Sequence, residues 1–89
     1  MSNVFIAFQT NDESRAIVEA IQADNPAATL DEQPAMVRVV APNRLVIKRD
    51  TVSELIGRDF DLQEMQIHLI TLSGNIDESD EEFVLEWRN

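Results

Sequence analysis

The sequence predicts an α+β fold in which two successive βαββ units form two small packed sheets in one compact domain, residues 1–89. Three observations support this prediction. Short apolar or alternating segments, typical of strands, flank two amphipathic helical patterns in the same order in each half of the chain. Each helical pattern follows a T-x-x-E sequence, which is typical of a helix start. No low-complexity linker separates the halves, so we expect one domain.

The first strand and the first helix are predicted from local patterns. Residues 4–8 ("VFIAF") are mainly β-branched or aromatic, which favours a strand. Thr10 and Glu13 form a capping box that predicts a helix over residues 14–24, with its apolar side toward the core. We expect this helix to end at Asn25, because the proline that follows disfavours helical conformation.

Five further strands and a second helix follow along the chain. A second capping box at residues 51–54 predicts a short helix that stops at Gly57. Phe83 and Trp87 share one face of the last strand, so both are expected in the core. The predicted strands are residues 28–30, 35–40, 44–49, 65–72 and 83–87.

An acidic run lies between the last two predicted strands. It places five carboxylates within positions 77–82. Its simplest interpretation is a long hairpin loop that follows Ser73 and Gly74 and is kept in water by its charge. A calcium-binding loop is the alternative, but Asp80 occupies the position where the sharp turn requires glycine, and strands rather than helices flank the run.

The charge balance limits the possible partners. Seventeen acidic and seven basic residues give a formal charge of -10, which repels nucleic-acid phosphates and anionic lipid. We therefore expect a protein partner with a basic or neutral surface, and neither nucleic acid nor membrane. Basic residues concentrate in residues 38–58, which either steers docking or only reflects the position of surface strands. Without a signal-peptide pattern or an 18-residue apolar run, a cytoplasmic location is expected.

Residues suited to catalysis or metal binding are few. The chain has no cysteine, which excludes thiolate metal sites and cysteine nucleophiles. The one histidine, His68, is predicted on a strand, as a surface or hydrogen-bonded polar residue rather than a general base. Gly57 and Gly74 are too far apart to form a phosphate-binding loop. We expect a non-catalytic protein with no metal and no cofactor.

Nearly the whole chain also resembles a known family. The similarity covers residues 4–26 ("VFIAFQTNDESRAIVEAIQADNP") and residues 41–87 ("APNRLVIKRDTVSELIGRDFDLQEMQIHLITLSGNIDESDEEFVLEW") as well as the overall length. These segments are similar to the small effector proteins of bacterial soluble di-iron monooxygenases, and specifically to the regulatory component of multicomponent phenol hydroxylases. Members of that family are small α+β proteins without metal, flavin or iron–sulfur cluster.

The resemblance implies a function and a set of contact residues. It implies binding to the hydroxylase component above the helices that carry the di-iron centre, where the effector couples NADH oxidation to hydroxylation while a separate reductase supplies the electrons. The expected hydroxylase contacts lie in three short segments, each of which also has a local structural role in capping or turning the chain. These residues are Asn11, Asp12, Ser14, Asn25, Pro26, Leu72, Ser73, Gly74 and Asn75.

A function of another class stays open at this point. A generic acidic adaptor or inhibitor domain would have the same composition, and it would act by mimicking an anionic ligand in a basic groove. Salt-dependent binding to an unrelated basic partner would favour that alternative.

Overall fold

The computed structural model describes residues 3–87. Within that range the chain forms seven strands, two α-helices and one 3₁₀ helix. In chain order the elements are β1 Asn3–Gln9, α1 Asp12–Asp24, β2 Thr29–Glu32, β3 Met36–Pro42, β4 Arg44–Lys48, α2 Arg49–Ile56, the 3₁₀ helix Leu62–Ile67, β5 Leu69–Ser73, β6 Asn75–Glu78 and β7 Glu82–Glu86.

The strands form two antiparallel sheets, which confirms the predicted α+β fold. The larger sheet has the order β2-β3-β1-β5 and the smaller one the order β4-β7-β6. β1 pairs with β3 along its whole length, from Asn3 opposite Pro42 to Gln9 opposite Met36. β5, from the second half of the chain, completes the larger sheet on the other side of β1.

One cluster of buried apolar side chains connects both sheets with both helices. Along the strands it follows the alternation that a half-buried strand requires, and on α1 it follows the helical period. Its members include Val4, Ile6 and Phe8 on β1, Ile17, Val18 and Ile21 on α1, Leu45 and Ile47 on β4, Val52 on α2, and Phe83 and Leu85 on β7.

α1 begins one residue later than the predicted cap requires. Its N-cap is Asn11, whose Oδ1 accepts a hydrogen bond from the backbone N–H of Ser14 at 2.9 Å, so the prediction of Thr10 as the cap is wrong. Asparagine is at least as good a cap as threonine. Asp12 and Glu13 then occupy the first turn, where the helix dipole favours negative charge.

α2 starts without a capping box, so the prediction for residues 51–54 is wrong as well. β4 turns directly into α2 at Arg49, and Thr51 already lies inside the helix. The N-cap, Lys48, makes no side-chain capping bond. The predicted end at Gly57 is confirmed: this residue adopts the left-handed conformation with φ 87°, which glycine permits without steric cost.

The first part of the predicted strand 65–72 is helical instead. Asp61 and Glu64 form a capping box that starts the 3₁₀ helix. Leu62 and Met65 are both buried, and their spacing of three residues places them on one side of a 3₁₀ turn. β5 begins only at Leu69, after the 3₁₀ helix has ended.

The acidic run is partly a strand rather than a loop. Residues 75–78 form β6, and only residues 79–81 make the turn to β7. All four β6 residues are exposed, so the sequence has no apolar alternation that would predict this edge strand. Its charged side chains discourage pairing with a strand of another chain.

Trp87 also differs from expectation: it is 41% exposed, and its Nε1 donates a hydrogen bond to the carbonyl of Asn3 at 2.9 Å. Phe83 is buried as predicted.

Candidate functional site

The expected contact residues lie at three places in the fold. Asn11 and Asn25 cap opposite ends of α1. With thirteen residues in this helix, the two caps are separated by about 20 Å. Gly74 lies elsewhere again, where the chain passes from the larger sheet to the smaller one between β5 and β6.

At the start of α1, Asn11 is held between the helix and the residue that precedes β5. Its Oδ1 caps α1 through Ser14 N, and its Nδ2 donates to Nδ1 of His68 at 3.1 Å. Nε2 of His68 faces a carboxylate oxygen of Glu13 at 3.4 Å. The prediction that His68 is a hydrogen-bonded polar residue is confirmed, although it lies at the C-cap of the 3₁₀ helix rather than on a strand.

At the other end of α1, the side chain of Asn25 replaces a missing strand partner. β4 is an edge of the smaller sheet, and the Asn25 amide pairs with Val46 in both directions: Nδ2 donates to the Val46 carbonyl at 2.6 Å, and the Val46 N–H donates to Oδ1 at 2.9 Å. Nδ2 also donates to the carbonyl of Ile21 at 2.7 Å. All polar groups of this side chain are therefore engaged within the fold, whereas the next residue, Pro26, is exposed.

Gly74 has a structural reason to be glycine. Its φ is 138°, and a Cβ added there would lie 3.0 Å from a methyl carbon of Val4 and 3.5 Å from Cβ of Leu85. The two sheets thus approach closely at this residue. Leu72 and Ser73 are half-buried on β5, and Asn75 is exposed.

Ser14 is fully buried, and its hydroxyl oxygen has no hydrogen-bond partner among the described residues. In this structure it offers no surface to another protein. Its main-chain N–H serves the α1 cap instead.

Two exposed isoleucines flank His68, and neither is among the expected contact residues. Ile67 is 73% exposed at the end of the 3₁₀ helix, and Ile70 is 46% exposed on β5. The β1–β5 register shifts at this point, because Ala7 pairs with Thr71 while Phe8 pairs with Leu69, which leaves Ile70 as the extra residue of a β-bulge. The alternating pattern of residues 65–72 predicted Ile67 on the same strand face as Leu69, and Ile70 on the opposite face with His68. Ile67 lies in the 3₁₀ helix instead and is exposed there.

These isoleucines, with Asn11, Asp12 and His68, form what we call the helix-start surface. Asp12 is exposed in the first turn of α1. The surface combines two large apolar side chains with a carboxylate and an amide, and no element of residues 3–87 covers the isoleucines. Exposed apolar side chains next to polar ones are typical of protein–protein contacts.

An ion-pair network joins the start of α1 to the segment after α2. Arg58 contacts Glu13 at 3.4 Å and both carboxylate oxygens of Glu64 at 3.2 Å. The backbone N–H of Asp61 donates to Glu64 at 2.9 Å, and this bond, assisted by Arg58, lowers the pKa of Glu64. Glu64 in turn raises the pKa of Arg58.

The described residues offer surfaces rather than a reaction centre. Within residues 3–87, no cluster of three or more histidine, aspartate or glutamate side chains has a geometry that would hold a metal ion. The larger open trough, about 740 Å³, is lined mainly by acidic and other polar residues, including Asp50, Asp59 and Asp80. None of the described helices has the length and apolar character needed to cross a membrane.

The fold and its exposed surfaces define a small α+β binding domain made of two antiparallel sheets and two helices. The chain belongs to the MmoB/DmpM family, whose model matches residues 2–86.

Relatives and solved structures agree with this assignment. The chain is 54% identical over 88 residues to the stimulatory component DmpM of phenol 2-monooxygenase from Pseudomonas sp. strain CF600, covering 99% of this chain and 98% of that one. It matches a chain in the solved structure of a phenol hydroxylase–regulatory protein complex with a TM-score of 0.93 and 53% identity, covering 98% of this chain and all of the other. Soluble methane monooxygenase regulatory protein B, at 18% identity and a TM-score of 0.77 over 97% of this chain and 65% of that one, shares the fold.

Proposed function

We propose that this chain is the regulatory component of a bacterial phenol hydroxylase, a non-catalytic protein that binds the di-iron hydroxylase component. The observation that carries this proposal is the 54% identity, over 99% of the chain, to a stimulatory component of phenol 2-monooxygenase. The near-identical backbone of a chain from a phenol hydroxylase–regulatory protein complex supports it. Such a role belongs in the cytoplasm, beside a hydroxylase and its NADH-dependent reductase.

A protein of this kind acts through differential affinity. It stimulates turnover only if it binds the productive conformation of the hydroxylase more tightly than the resting one, because equal affinity for both states shifts no equilibrium. The electrons come from the reductase and the oxygen chemistry belongs to the hydroxylase. The contribution of this chain is the free energy of its contacts.

For the docking contacts we propose the helix-start surface. Asp12, Ile67 and Ile70 are exposed, and no other residue within 3–87 covers them. Large apolar side chains that become fully covered contribute most of the affinity in typical interfaces, and polar neighbours determine specificity.

The remaining expected contacts fall into three groups. Pro26 and Asn75 are exposed and stay in the proposal as outlying contacts. Asn25, Leu72, Ser73 and Gly74 are half-buried and have contacts within the fold, so we assign them a supporting role. Ser14, being fully buried, is left out of the proposed surface.

The test of the function is a titration. Phenol hydroxylation and NADH consumption are measured with a purified hydroxylase and reductase from the same source, with this protein added from zero to several equivalents. Product formation should rise, saturate near one equivalent per hydroxylase active site, and consume NADH in step with product. If turnover does not respond to the protein, the proposed regulatory function is wrong, and the acidic adaptor becomes the better-supported function.

The test of the surface is a charge reversal with a matched control. Asp12→Arg should raise the half-saturating concentration without unfolding the protein. Asp50→Arg is the control, because Asp50 also occupies the first turn of a helix and its side chain is 93% exposed. Both variants lose the same favourable interaction with a helix dipole. Equal half-saturation for the two variants would exclude a specific role for Asp12.

A further inference from the structure

The side chains around Asn11 determine which nitrogen of His68 carries the proton. The backbone N–H of Ser14 is always a donor, so the atom of Asn11 that faces it at 2.9 Å must be the oxygen. The amide nitrogen then faces His68 Nδ1 at 3.1 Å, and because an amide NH₂ only donates, Nδ1 must be an acceptor. The neutral ring therefore has its hydrogen on Nε2, where Glu13 lies at 3.4 Å.

One amide cannot serve both partners once the ring is charged. A protonated imidazole has a donor on both nitrogens, so Nδ1 then requires an oxygen from Asn11. Rotating the amide to supply that oxygen would place the NH₂ group against Ser14 N–H and remove the cap of α1. Protonation of His68 is thus incompatible with the observed conformation of Asn11.

Two charged groups and one strand also lie around the ring. Glu13 on α1 places a carboxylate oxygen 3.4 Å from Nε2. Arg58, in the segment after α2, contacts both Glu13 and Glu64 of the 3₁₀ helix. β1 contributes only a backbone contact, the N–H of Gln9 donating to the His68 carbonyl at 2.8 Å.

We infer that neutral His68, acting through Asn11, is a positioning residue that holds the start of α1 in the conformation that docks on the hydroxylase. The inference rests on the proposed function. His68 has a side chain only 15% exposed, so it acts mainly by fixing Asn11 and thereby the adjacent exposed Asp12. The apparent affinity of a protein falls in proportion to the fraction that has the binding conformation, so loss of this positioning weakens docking by lowering the fraction of chains whose helix start is correctly placed.

The first measurement uses the isolated chain. Since His68 is the only histidine, the histidine ring signals in a long-range ¹H–¹⁵N correlation spectrum are assigned to it without ambiguity. At neutral pH we expect the Nε2–H form, and on acidification we expect the amide of Ser14 to lose protection from hydrogen exchange over the same pH range in which the ring titrates. An Nδ1–H tautomer, or Ser14 protection that is independent of the ring titration, would overturn the inference.

The second measurement compares activation by three proteins across pH. His68→Ala removes the acceptor and should raise the half-saturating concentration by about threefold to tenfold, the effect expected from one hydrogen bond, at an unchanged maximal rate. His68→Gln keeps a neutral acceptor and should restore activation at neutral pH. In acid, the half-saturating concentration should rise for the wild-type protein but not for His68→Gln. Because both proteins meet the same hydroxylase, the His68→Gln variant also corrects for any effect of pH on the hydroxylase.

The outcomes separate this inference from the proposed function. If the wild-type chain fails to stimulate any matched hydroxylase, the proposed function is wrong, and the NMR result alone decides the conformational role of His68. If the wild-type chain stimulates and folded His68→Ala equals it at every pH, only the positioning role is wrong. Far-UV circular dichroism and a thermal melt establish that His68→Ala is folded.

Discussion

Asn25 is the residue whose replacement distinguishes a structural role from a docking role most sharply. Asn25→Ala removes three hydrogen bonds, of 2.6, 2.7 and 2.9 Å, to Val46 and Ile21. It also leaves the N–H and carbonyl of Val46 without a partner on the free edge of β4. At about 1 kcal/mol net for each bond, the expected loss is about 2–4 kcal/mol in the free energy of unfolding.

That loss is large for a domain of this size. A stability of roughly 0.05–0.15 kcal/mol per residue corresponds to about 4–13 kcal/mol for the whole chain. With a dependence on urea of about 1 kcal/mol per molar, the midpoint of unfolding should fall by at least 2 M. Far-UV circular dichroism in a urea series measures this shift directly.

The matched control is Asn75→Ala, which changes the same side chain at an exposed position on β6. Within residues 3–87 no hydrogen bond from the Asn75 side chain is found, so its midpoint should stay within the error of the wild-type value. A loss below about 0.5 kcal/mol for Asn25→Ala would refute the reasoning, since surface substitutions commonly have effects of that size. If Asn25→Ala leaves the stability unchanged but raises the concentration that half-saturates the hydroxylase, Asn25 is a docking residue instead.

Three further predictions follow from other contacts. Ser14→Ala should stabilise the protein by about 1 kcal/mol in urea unfolding, because the buried hydroxyl has no partner and alanine is the better helix former; a loss would mean that the hydroxyl is bonded. Gly74→Ala should cost about 1–3 kcal/mol through its φ of 138° and the 3.0 Å approach to Val4, and a thermal melt that matches the wild type would contradict this crowding. Arg38 lowers the pKa of Asp31 below the ordinary 3.8, so the folded state binds fewer protons at this carboxylate than the unfolded state does. The resulting contribution to the free energy of unfolding is complete above pH 3.8 and is lost as the pH falls through the lowered pKa. Asp31→Asn should therefore flatten the acid limb of the stability curve measured by urea unfolding at successive pH values, and an unchanged limb would exclude the Arg38 contact as its cause.

Part of the site was predictable because it depends on local chemistry. Asn25 and Gly57 were expected as helix ends from the residues around them, and both are C-caps. The exposed acid Asp12 was expected at a helix start, where its charge is favourable. Ile67 was not expected on the surface, because its alternation with Gln66 and His68 is the usual sign of a core-facing strand residue.

The sequence by itself determined the order and type of most elements, the negative charge and the family. These follow from periodicity, composition and residues near one another in the chain. The tertiary structure alone decided that Asn25 completes the edge of β4, that Asn11 and His68 share a hydrogen bond across 57 positions, and that β6 forms a strand although all its side chains are exposed. Such contacts join groups that are distant in the chain, and their free energy depends on which partners the fold brings within hydrogen-bonding distance, which no local pattern records.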